Sequence, residues 1–133
     1  MADAVTTRIL ANGPRNLVMR FTNFSDGTGE SAVTKVDGTS TAIGYNGAAN
    51  GIYLRVKAIK WVVRNGGLRI LWDATTDEDA FVLNDAEGHE RFPVSVPVPA
   101  IAGVTGSLLF TTLGFMINSG YDVTLHMIKG IPR

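Results

Sequence analysis

The sequence predicts an all-β fold, a jelly-roll-like antiparallel β-sandwich, and three observations carry that prediction. Apolar residues recur with a period of two in several short stretches. Fifteen glycines and five prolines break the chain at short intervals, leaving little room for long helices. No window places apolar residues at the three- and four-residue spacing of an amphipathic helix. With 133 residues, 45% of them apolar, the chain can fill one core, so a single domain over residues 1–133 is expected. Within it, Met1 to Leu10 could form an extended N-terminal arm.

Taken in order, Leu17, Met19 and Phe21 alternate with Val18, Arg20 and Thr22, which reads as a strand with one buried face. Ser25 to Glu30 (SDGTGE) is turn chemistry, and a short strand from Ala32 to Asp37 follows. Gly38 to Gly51 reads as a long loop with four glycines and two asparagines. From Ile52 to Arg64 the apolar phase changes: Leu54, Val56 and Ala58 give way to Ile59, Trp61 and Val63, as at a β-bulge. Asn65-Gly66-Gly67 is expected to close a hairpin, with Leu68, Ile70 and Trp72 on the return strand. Asp73 to Asp79 and Asn84 to Gly88 read as polar turns around a strand from Ala80 to Leu83. Pro93, Pro97 and Pro99 confine their stretch to an edge or an extended connection. Leu108 to Thr112 and Tyr121 to Ile128 supply the last strands.

Composition narrows the function. Twelve basic and twelve acidic residues cancel, so the chain lacks the positive field that draws nucleic acid. Without cysteine there is no disulfide framework, thiolate metal site or cysteine nucleophile. Met1 to Ala4 lacks the basic and apolar regions of a signal peptide, and no apolar run approaches the roughly 20 residues that span a bilayer. No membrane partner is expected, and synthesis in a cytoplasm is.

The search for chemistry yields little. His89 and His126 show no HxH or HExxH spacing, and they read as a solvated turn histidine and a strand-face histidine. Asp73, Asp77, Glu78 and Asp79, with Asp85 nearby, lack the spacing of a calcium loop and read as a solvated turn. Gly27-Thr28-Gly29 and Gly44-Tyr45-Asn46-Gly47 precede neither a helix nor Lys-Ser/Thr, so they are turns rather than phosphate loops. Arg55, Lys57, Lys60 and Arg64, interleaved with Tyr53 and Trp61, resemble a basic-aromatic platform, but the face turns apolar at Ile59. Trp61, Trp72 and the phenylalanines at positions 21, 24, 81, 92, 110 and 115 read as core. No cofactor, metal or catalytic residue is assigned, and an enzyme is not expected. Recognition is expected on exposed irregular segments, which singles out Tyr45, Asn46 and Asn50 in the long loop and Arg8 in the arm.

Several segments, in order, resemble the capsid cement (decoration) proteins of tailed bacteriophages with podovirus-like heads. They are Ser25 to Glu30 followed by Lys35-Val36-Asp37, Leu71 to Asp77 with Val82-Leu83, Thr105 to Thr112, and Gly120 to Leu125. The resemblance spans about Leu17 to Lys129. It implies a jelly roll on the outer surface of the virion capsid that bridges copies of the major capsid protein, with neighbouring copies of itself as further partners in a homo-oligomer. The long Gly38 to Gly51 loop and the Pro93 to Pro99 stretch depart from the pattern. The matching segments are turn and strand chemistry, so the resemblance carries over fold positions and no binding residues. The alternative reading is a carbohydrate- or receptor-binding β-sandwich of a phage tail or secreted enzyme, which would need exposed aromatics at Trp61, Trp72 or Tyr45.

Overall fold

The computed structural model describes residues 4–13, 15–37, 54–84, 86–97 and 99–129. Among them are nine strands and no helix: β1 (Ala4–Asn12), β2 (Asn16–Asp26), β3 (Val33–Val36), β4 (Arg55–Arg64), β5 (Gly67–Trp72), β6 (Glu78–Leu83), β7 (Ala86–Pro97), β8 (Leu108–Leu113) and β9 (Ile117–Ile128). They form a five-stranded sheet in the order β1-β2-β9-β4-β7 and a four-stranded sheet in the order β3-β8-β5-β6, all pairs antiparallel. From β2 to β9 the chain alternates between the sheets except at the β5–β6 hairpin. That is the strand order of a jelly roll, with β1 added outside β2.

Alternation makes the core. Leu17, Met19 and Phe21 of β2 face Tyr121, Val123, Leu125 and Met127 of β9 on the inner side of the larger sheet, all buried. Leu68, Ile70, Trp72, Leu108 and Phe110 meet them from the smaller sheet. Phe110 bridges the layers, edge-on to Phe21 at 5.0 Å and to Tyr121 at 5.5 Å between ring centroids.

The phase change in β4 is a bulge at Lys57. Val56 pairs with Met127 and Ala58 with His126, so the extra residue turns Ile59 and Val63 inward. A second irregularity lies across the β4–β7 pair, where Val56 faces Val96 but Ala58 faces Arg91, so residues 92–95 leave the ladder. Pro93 sits in that excursion, on the edge strand its ring permits.

Asn65-Gly66-Gly67 does not close a hairpin. Strand β4 already has β9 on one side and β7 on the other, so β5 has no edge to join and crosses to the smaller sheet between β6 and β8. Asn65 takes a left-handed φ of 59° to make the crossing, and its carbonyl accepts a hydrogen bond from Ser119 Oγ at 2.9 Å. A Cβ on Gly66 would strike Phe115 and the Leu113 carbonyl, so this turn needs glycine for space. The N-terminal residues from Ala4 to Asn12 are the edge strand β1, held along β2.

Candidate contact surface

Polar side chains in the turns prove to be fasteners of the sandwich. In the arch from β2 to β3, Glu30 turns inward and its Oε2 meets Lys35 Nζ at 2.6 Å, both side chains almost fully buried. Tyr121 OH and Asn23 Nδ2 donate to Glu30 Oε1 at 2.5 and 3.0 Å. The backbone of Glu30 is clamped to β8: its N–H donates to Thr112 Oγ1 at 2.8 Å, and Thr112 N–H donates to its carbonyl at 3.0 Å. The SDGTGE turn, Lys35, the Thr111-Thr112 pair and Tyr121 thus converge on one junction between the sheets. At the opposite end Thr105 Oγ1 donates to Asp73 Oδ2 at 2.9 Å, and Asp77 accepts from the Ala74 N–H.

That disposition disperses the acidic turn. Asp73 holds Thr105, Asp77 caps its own turn, and Asp79 pairs with Arg69 across the β5–β6 hairpin at 2.8 Å. Asp85 lies outside the described residues, and among those described no group of three or more histidine and acidic residues could hold a metal. His89 lies within strand β7, opposite Lys60, rather than in a turn. His126 follows Leu125 on the outer side of β9, with Nε2 3.3 Å from Asn16 Oδ1. The basic-aromatic strand divides by face. Lys60 and Arg64 point outward, whereas Trp61 turns inward against the core and over Gly88, where a Cβ would collide with its ring. Trp72 is 3% exposed.

The outer side of the larger sheet is charged. Arg20 of β2 donates from Nε and Nη2 to both carboxylate oxygens of Asp122, at 3.0 and 2.6 Å. Those hydrogen bonds, and then the charge of Asp122, raise the Arg20 pKa above its usual value. Lys60, Val62 and Thr124 complete a shallow trough of about 420 Å³ beside this pair.

The end bearing the β8–β9 loop differs. Phe24 is 62% exposed, Met116 64% and Ile117 70%, which gathers bare apolar surface at this end. Asp26 pairs with Ile117 and Phe24 with Gly120, so the register brings Phe24 and Ile117 close together. Gly120 is forced: a Cβ there would lie 2.5 Å from the Asn23 carbonyl oxygen. Its bare backbone leaves a groove of about 240 Å³ running from Phe24 over Tyr121 to Val62 and Arg64. Asn118, in the left-handed region at φ 70°, and the Met116–Ser119 turn shape the rim.

Of the residues expected to make contacts, Arg8 is exposed at the middle of β1, opposite Arg20 on the outer side of the sheet. Tyr45, Asn46 and Asn50 lie outside the described residues. Phe24 was expected in the core and is not there. It lies three positions after Phe21, an odd step, so alternation alone puts the two rings on opposite faces. Met116 and Ile117 carried no sequence signal beyond being apolar beside a glycine turn. Compared with protein-family models, with curated proteins and with solved structures, the chain matches none.

Proposed function

We propose that the chain is a capsid cement protein that binds the outside of a tailed-phage head, joins neighbouring copies of the major capsid protein, and is not an enzyme. The observation that carries this reading is the bare apolar end: Phe24, Met116 and Ile117 stand exposed, whereas the other aromatics among the described residues are buried or partly buried in the sandwich. A protein that works by holding needs a stiff body and a surface worth desolvating. The interlocked sheets provide the first and the apolar end the second.

Cementing then follows from geometry and number. Each copy adds contact area at a junction between shell subunits, and many modest contacts on one particle resist expansion together. A chain with no net charge can crowd on the particle without strong mutual repulsion, and copies that meet there can self-associate. The sugar-binding alternative is less well supported, since Trp72 is core and Trp61 is turned inward. The test is to heat purified heads with and without the chain and follow DNA release. Decorated heads should release DNA at a higher temperature, and equal release from both overturns the proposal.

A further inference from the structure

We infer that β1 is a self-pairing edge, at which a second copy of the chain adds its own β1 antiparallel across a two-fold axis through Thr7. The inference specifies the surface for the self-association proposed above and is independent of head binding.

Both faces of β1 are exposed along its whole length. By register, Val5, Thr7 and Ile9 face the same way as Asn23, Phe21 and Met19, which is toward the core side of the sheet. They are nevertheless open, with Val5 48% and Ile9 46% exposed. The cause is a mismatch between layers. Phe81 of β6 stacks on Phe92 of β7 at one side, and at the other the Glu30 and Lys35 pair ties the β3 arch to Asn23 of β2. Four strands therefore end over β2, and β1 overhangs.

An open edge normally carries protection, and among the described strands the other three edges, β7, β3 and β6, do. Strand β7 has Pro93 and Pro97, the excursion of residues 92–95, and Glu87, His89, Glu90 and Arg91. Strand β3 is four residues long. Strand β6 begins Glu78-Asp79 and is irregular between Ile70 and Leu71 of its partner. Strand β1 has nine residues, no proline, no inward charge, and Arg8 as its one charged residue, directed outward. Its bulge falls at Leu10, which leaves Val5 to Ile9 regular.

That stretch is complementary to itself in one register. Centred on Thr7, it sets Val5 against Ile9 of the second copy and Thr7 against its own counterpart, a row of β-branched side chains suited to cross-strand packing. On the other face Arg8 meets Thr6. Centring on Arg8 would oppose two like charges, and centring on Thr6 would run Ile9 past the start of the strand. Two-fold closure also makes the contact finite, because the partner uses up the one edge left unprotected among the described strands of each copy.

The absence of cysteine makes the register directly readable. In the Thr7→Cys variant the two thiols face each other on the axis, within the roughly 4.4–6.8 Å Cα separation a disulfide accepts, whereas in Arg8→Cys they are offset beyond it. Under mild oxidation of the purified full chain, Thr7→Cys should form the covalent dimer at least about tenfold faster than Arg8→Cys. Sedimentation of the unmodified chain should rise toward twice the monomer mass with concentration. Ile9→Lys, whose native side chain is exposed in the monomer, should match the melting temperature of the parent at dilutions where the parent is monomeric, and should stay monomeric at every concentration. A monomer mass at every concentration, equal crosslinking rates for the two cysteine variants, or a dimeric Ile9→Lys would each overturn the inference.

Discussion

Replacing Glu30 by alanine tests the claim that the turn motifs act as internal fasteners. The substitution strips Lys35 of its partner 2.6 Å away, in a place where neither side chain can turn to water. Tyr121 OH and Asn23 Nδ2 lose an acceptor at the same time. Leaving one member of a buried ion pair behind costs about 3–5 kcal/mol, most of it the desolvation of the orphaned charge. Tyr121→Phe removes one hydrogen bond to a charged group and should cost about 1.5–3 kcal/mol. Glu30→Ala combined with Lys35→Met removes both charges, so it should recover much of the loss despite altering two residues. Urea unfolding of the parent, these three variants and Lys35→Met alone at neutral pH, with the slope against urea unchanged, reads these numbers. A Glu30→Ala cost below about 1 kcal/mol, or a double variant whose losses add within about 0.5 kcal/mol, would falsify the buried-pair account.

Other perturbations have equally definite outcomes. Gly88→Ala drives a Cβ into the Trp61 ring and should destabilise the β4–β7 pair by about 1–3 kcal/mol in urea, with a change in tryptophan emission. Lys129 is 4% exposed, and burial lowers its pKa from 10.5, so the folded state binds its proton less well than the unfolded state. The resulting cost is present in full below the folded pKa and is relieved as pH rises toward 10.5. The melting temperature of the unmodified chain should therefore climb relative to Lys129→Met between neutral pH and about pH 10.5, and parallel profiles would contradict this. Thr112→Val removes the hydroxyl that accepts from the Glu30 N–H and should cost about 1–3 kcal/mol, measured by thermal unfolding.

Alternation at Leu17 to Phe21 and Val123 to Met127 was enough to identify the two strands that anchor the larger sheet, because a period of two reports burial directly. The Lys57 bulge was legible for the same reason, within a residue or two of its place. Partner choice was not. Asn65-Gly66-Gly67 has hairpin chemistry, but whether the next strand returns to the same sheet depends on edges occupied by β7 and β9, which are distant in sequence. Nothing in the turn chemistry of Ser25 to Glu30 or in the Ala32 to Asp37 strand marks Glu30 and Lys35 as a buried pair, and only the convergence of β3, β8 and β9 buries them. Phe24 was misplaced by residue type when its phase was already readable. The overhang of β1 depends on how many strands each layer holds, which no local pattern records.

Co-sedimentation with purified heads lacking the chain, using the unmodified protein beside a Phe24→Asp/Ile117→Asp variant, probes the proposed role most directly. Both side chains are largely exposed, so the variant should fold and melt as the parent does. The account predicts that the parent pellets with the heads while the variant remains in the supernatant. A parent that stays in solution, or a variant that pellets equally well, would contradict it.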